Sequence, residues 1–156
     1  MFIDSTLEFC DGVTLSGTGI EEKKGTVLDL SNTTDNALKN WGAGEPIYLV
    51  LNVTTAFASG TSVRIDLRSG SNADLESSSP VIHWTTGVVA AANYANLTGM
   101  TVVQLPTRPN DYKENVGIHV TTAGAVTGGV ADAFLTKDVT NWQSTATRVP
   151  ATDPST

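Results

Sequence analysis

Three features of the chain predict an all-β fold, a two-sheet antiparallel sandwich. Apolar and polar residues alternate with a period of two along several short segments, turn residues (Gly, Ser, Pro, Asn) punctuate those segments, and no long helical periodicity appears. Composition agrees. Apolar residues make up 40% and charged residues 16%, below the usual quarter for a soluble domain, with Thr, Ser, Gly and Asn filling the difference. The 156 residues suffice for one domain that buries roughly 70% of the surface its unfolded chain exposes.

Taken in order, Val13 to Gly19 and Thr26 to Leu30 read as an early strand pair around the charged turn Glu21-Glu22-Lys23-Lys24-Gly25. Glu45 to Phe57 is the strongest strand. Ile47, Leu49, Leu51 and Val53 share one face and Tyr48, Asn52 and Thr54 the other, with Val50 the exception. Pro46 stands at its start, where a missing N–H costs least. After the turn Ala58-Ser59-Gly60, the segment Thr61 to Ser69 sends Val63, Ile65 and Leu67 inward and Arg64, Asp66 and Arg68 outward, so the two strands read as a hairpin with one wet face. Val81 to Thr86, Thr101 to Leu105, Val116 to Thr121 and Val126 to Thr136 complete eight candidate strands. An eight-strand sandwich without a long helix is jelly-roll-like. Asn36 to Trp41 and Val88 to Leu97 read as short helical turns. The organisation is therefore an N-terminal arm over 1–12, a sandwich over 13–138 and a polar tail over 139–156.

A net charge of −7 makes nucleic acid and anionic membranes poor partners, because both repel it on approach. The single cysteine, Cys10, leaves no internal disulfide and no multi-cysteine metal site, and no apolar run approaches the roughly 20 residues of a membrane helix. Met1 to Thr6 lacks the basic and apolar regions of a secretory signal, so the expectation is synthesis in a cytoplasm.

Candidate chemistry is sparse. His83 and His119 lie in no metal-ligand spacing and read as surface or interface residues. No G-x-S-x-G elbow or phosphate-binding loop is present, and Gly128-Gly129 reads as a bulge or a close backbone approach. The acids Asp11, Glu21, Glu22, Asp74, Glu76 and Asp111 read as solvated turn charge, and Asn72, Asp74 and Glu76 lack the order of a calcium loop. Trp41, Trp84, Trp142, Tyr48, Tyr94 and Tyr112 suit packing more than a sugar platform, since nothing clusters them in sequence. No catalytic residue, metal ligand or cofactor is expected. The N-terminus differs: Phe2, Ile3, Leu7 and Phe9 are bulky apolar groups at a position usually left loose, which predicts an arm that docks on a core or on another chain.

Several blocks taken together resemble the jelly-roll capsid cement (decoration) proteins of tailed bacteriophages. These are Met1-Phe2-Ile3-Asp4 with Leu7 and Phe9, Val27-Leu28-Asp29-Leu30, Gly42-Ala43-Gly44-Glu45-Pro46-Ile47-Tyr48-Leu49-Val50 with Ala56-Phe57, Leu105-Pro106, Tyr112, and Thr122 to Thr127 with Phe134-Leu135. The chain departs from that pattern at Tyr112-Lys113-Glu114-Asn115, where such proteins are richer in arginine, and in its longer tail. The resemblance implies a non-enzymatic protein on the outer surface of a virion shell, made in the host cytoplasm. It implies the phage major capsid protein as partner, and a homo-oligomer, dimer or trimer. Phe2, Ile3 and Trp142 are the expected partner contacts. The rival expectation is a carbohydrate- or receptor-binding module of a virion fibre.

Overall fold

The computed structural model describes residues 7–31, 46–76, 79–105 and 112–137. Ten strands run through them: β1 (Glu8–Thr14), β2 (Gly17–Thr18), β3 (Glu21–Asp29), β4 (Tyr48–Ala58), β5 (Ser62–Gly70), β6 (Val81–Thr85), β7 (Val89–Ala90), β8 (Gly99–Gln104), β9 (Asn115–Ala123) and β10 (Ala125–Thr136). They form two five-stranded antiparallel sheets. One has the order β1-β10-β4-β8, with β2 also on β10; the other has the order β3-β9-β5-β6, with β7 also on β5.

Two of the edges are single strands interrupted once. β1 and β2 lie end to end along β10, and the Leu15 N–H donates to the Gly129 carbonyl (2.7 Å) between them. β6 and β7 lie end to end along β5. There Thr86 mends the break, its N–H reaching the Ile65 carbonyl (2.9 Å) while its hydroxyl accepts the Ile65 N–H (3.0 Å). Counting each interrupted edge once turns ten strands into eight, in orders 1-8-3-6 and 2-7-4-5. Strands 1 and 8, 2 and 7, 3 and 6, and 4 and 5 all pair, as in one long hairpin rolled up into two sheets. That is the jelly-roll order, so the expected fold class is the observed one.

The apolar alternation read from β4 and β5 is real, but its hairpin is not. β4 pairs with β10 and β8, and β5 with β9 and β6, so the turn at Ser59-Gly60 carries the chain from one sheet to the other. A hairpin would set both apolar rows on one face of one sheet. The crossing sets Leu49, Leu51 and Val53 against Val63, Ile65 and Leu67 across the sandwich, where all are buried. The charged run Glu21 to Lys24 is likewise no turn: it is the first half of edge strand β3, paired with Thr121 back to Ile118, and the register shifts after it, between Lys24 and Leu28. Its predicted partner Val13 to Gly19 belongs to the other sheet. Charge on an edge is what keeps such an edge from adding strands. Residues 8–12 of the expected arm are strand paired with β10, and Phe9 and Cys10 are buried in the core. Val88 to Leu97 is a two-residue strand followed by a 3-10 helix over Ala91–Leu97, whose Tyr94 packs on Phe57 (centroids 5.8 Å apart). The turn expected at Asn36 to Trp41 lies outside the described residues.

Gly128-Gly129 is a close approach, as expected. Both have positive φ, and a Cβ on Gly129 would stand 2.1 Å from the Phe57 ring. Gly129→Val is therefore expected to lose about 3 kcal/mol or more of stability through forced displacement of Phe57 and backbone strain. Urea unfolding measures this loss; an unchanged midpoint would contradict the packing described.

Candidate functional site

The outer face of the β3-β9-β5-β6 sheet carries the polar residues that alternation sends away from the core: Arg64, Asp66 and Arg68 on β5, and Gly117, His119 and Thr121 on β9. The sequence reading makes this a wet face and His119 a surface residue. The structure corrects both. Asp66 and His119 are 0% exposed and Arg68 is 4% exposed. The cause is the β5–β6 loop, which folds back over its own sheet. Leu75, the one large apolar residue between Ser71 and Pro80, is fully buried there. It sits over Gly117, where an added Cβ would stand 2.9 Å from the Leu75 Cδ1. Glycine at 117, directly across from Arg68, is what leaves room for this anchor.

Under the loop, Asp66 is the hub. Its Oδ2 accepts from Arg68 Nε (3.1 Å) and Nη2 (2.9 Å), and Arg64 Nε lies 3.0 Å away as an ion pair. Arg68 also reaches Glu21 on β3 (3.6 Å), and its Nη1 stands 3.3 Å from His119 Nε2. A guanidinium only donates, so that nitrogen of His119 is the acceptor and the ring is neutral, with its proton on Nδ1. Burial, and then the Arg68 charge, pull the His119 pKa down to about 4, against weaker upward pulls from Glu21 and Asp66. Glu76 of the loop lies 3.8 Å from the same Nε2.

A second polar group lies at the end of β5. Ser69 Oγ accepts the Lys113 N–H (3.0 Å) and is hydrogen-bonded to His83 Nε2 (2.7 Å). The His83 ring stacks on Tyr112 with centroids 3.9 Å apart, and Lys113 Nζ donates to the Ser79 carbonyl (2.6 Å). A serine hydrogen-bonded to a histidine has the outline of a nucleophile and base, but Ser69 is 0% exposed and presents no face to a substrate. The second group fastens the β5–β6 loop and the segment before β9 onto the sheet, through Lys113 on Ser69 and Ser79, whereas the first ties β5 to β3 and β9.

The other expectations fall as follows. Phe2, Ile3 and Trp142, the expected partner contacts, lie outside the described residues, as does Trp41. Trp84 packs against the core, Tyr94 is buried against Phe57, and Tyr112 covers His83, so these aromatics form no common platform. Asp74 accepts the Glu76 N–H (3.0 Å), shaping the loop, and no cluster of metal-ligand type occurs among the described residues. Cys10 is buried in the core, as its small apolar character suggested, and burial pushes its thiol up to about 12. The buried Arg-Asp-Arg-His group is what sequence reasoning missed. Its signal was the lone Leu75 in an otherwise polar loop together with Gly117 on a central strand.

Two outcomes test this face. A histidine whose folded pKa lies below its ordinary 6.5 binds fewer protons folded than unfolded. Its stabilising contribution is complete above that value and is lost as pH falls from 6.5 towards 4. The unfolding free energy of wild type is expected to decline through that window, and His119→Gln is expected to flatten part of the decline. Asp66→Ala strips the counter-charge from two arginines, one of them nearly fully buried, and is expected to cost roughly 3–5 kcal/mol in urea unfolding.

Comparison with known proteins adds one positive result. No curated protein matches the chain. A family model described as Bbp16 matches residues 9–135, which runs from the start of β1 to the end of β10 and takes in both sheets. With most of its length inside that match, the chain belongs to the Bbp16 family.

Proposed function

We propose that this protein is a capsid cement (decoration) protein. In this reading it binds the outer surface of a tailed-phage icosahedral shell, bridges capsomers of the major capsid protein and stabilises the head. It works without catalysis or cofactor, is made in the host cytoplasm and acts as a homo-oligomer. The observation that carries the reading is the jelly-roll strand order, found in a chain whose sequence blocks resemble such proteins. The polar groups of the β3-β9-β5-β6 sheet support it, because they bond to one another and to the protein's own strands and loop. The core is held by long-range strand pairing, which suits a part that must resist load. Weak contacts repeated by shell symmetry add up through avidity. Phe2 and Ile3 at one end, and Trp142 at the other, are the residues this reading places against the shell or a sister subunit.

The test is rebinding of purified protein to shells that lack it, read by co-sedimentation. Wild type is expected to saturate the shells, and deletion of residues 1–6, which spares Phe9 and the strand that begins at Glu8, is expected to reduce occupancy. Failure of wild type to bind would remove the reading. Binding to a glycan array that is lost in Trp84→Ala would favour the receptor-binding alternative instead.

A further inference from the structure

The β5–β6 loop is held on its sheet lightly. Between Ser71 and Glu76 only Leu75 is buried, and it lies on the outer side of the sheet, apart from the hydrophobic cluster between the two sheets. Its φ is +61°, the left-handed region that a residue with a Cβ occupies only at a cost. The remaining bonds of this segment are peripheral: Leu75 N–H donates to the Asn72 carbonyl within the loop (3.1 Å), and the Asn115 side-chain amide donates to the Ser71 carbonyl at an exposed position (3.2 Å). Leu75 is thus a single, strained latch seated over Gly117.

Beneath that latch the polar group is incompletely bonded. His119 Nδ1, which carries the ring proton, and Asp66 Oδ1 are both buried without a hydrogen-bond partner among the described residues. His119 cannot take a second proton in place. Its Nε2 already faces the Arg68 guanidinium, and a charged ring would set a third cation beside Arg64 and Arg68. The charged groups facing the ring are Arg64, Asp66 and Arg68 from β5, Glu21 and Lys23 from β3, and Glu76 from the loop, while β9 itself places Gly117 and Thr121 beside it. Glu76 would welcome the proton, but at 48% exposure it is screened by water, and burial with Arg68 prevails.

We propose that residues 71–76 form an acid-released cover: Leu75 latches it over Gly117 while His119 is neutral, and proton uptake by His119 lifts it without unfolding the sandwich, opening Arg64, Asp66, Arg68 and His119 to solvent. The direction follows from linkage. A ring that stays neutral when covered and can charge when uncovered binds a proton on opening, so acid favours the open form. With the ring at its ordinary 6.5 in the open form and at about 4 in the closed form, the open-to-closed ratio rises roughly 20-fold from pH 7 to pH 5, and about 300-fold at its limit well below pH 4. Opening releases one apolar side chain and hydrates the two unpartnered atoms, whereas unfolding surrenders the whole core, so the cover moves first. This inference goes beyond the shell-binding reading and does not rest on it.

Amide hydrogen exchange of the wild-type chain, followed by nuclear magnetic resonance and corrected for the intrinsic effect of pH, is the experiment. The protection of the Leu75 amide is expected to fall about 20-fold from pH 7 to pH 5, and at both pH values this amide is expected to exchange well ahead of those in the centre of β5 and β9. His119→Gln is expected to remove the pH dependence at Leu75. The reciprocal measurement is the titration of the His119 ring in Leu75→Ala, which leaves the cluster between the sheets untouched and is expected to keep the wild-type far-ultraviolet circular dichroism. Without the latch, the pKa of His119 is expected to climb from about 4 towards 6.5. Leu75 exchange indifferent to pH, Leu75 exchange no faster than that of β5 and β9, or a His119 titration unmoved in folded Leu75→Ala would each overturn the proposal.

Discussion

The fold depends on β10 finding β4. These strands lie more than sixty residues apart in the chain, yet they pair from Tyr48 with Thr136 to Ala58 with Thr127. That pairing converts an extended hairpin into a closed roll. Without it β1, β2 and β10 would have no reason to lie beside β4 and β8, and the two apolar faces would not be brought into register. Closure of so long a loop carries an entropic cost, which the burial of Leu49, Leu51, Val53, Ala131, Ala133 and Leu135 in one core offsets. It also explains the two glycines in β10. At Gly128-Gly129 the strand passes so close to Ala56 and Phe57 that no side chain fits.

Once the inner faces are committed to the core, function is left to the outside, and the outside is divided. The outer face of the β3-β9-β5-β6 sheet is closed by its own loop over a buried ion group, an arrangement that fixes geometry more than it adds stability. Among the described residues, the side formed by β6, β7 and β8 carries no Asp, Glu, Lys or Arg. The proposed role on a shell would call for a body that does not deform, which the closed roll supplies.

Much of this was legible in the sequence, and the limits have physical causes. Period-two alternation marks which residues of β4, β5 and β9 face the core, because that signal is local. It does not say which strand lies alongside, so β4 and β5 read as a hairpin although they face each other across the sandwich. Charge misled twice. Glu21 to Lys24 looked like a turn because charged residues favour exposure, and an edge strand supplies exposure equally well. Arg64, Asp66 and Arg68 looked solvated because alternation predicts a face, not what later covers it; only Leu75 and Gly117 hinted at the cover. The arm residues Phe2 and Ile3, and Trp142 in the tail, lie outside the described residues, so the contacts assigned to them rest on the sequence.

The most direct measurement of the proposed role is electron cryomicroscopy of intact virus particles released from cells in which this chain is made. The account expects an eight-stranded jelly roll of this topology standing on the outer surface of the shell, in contact with the major capsid protein. Particles whose outer surface carries no such density, while this chain is made in the same infection, would contradict it.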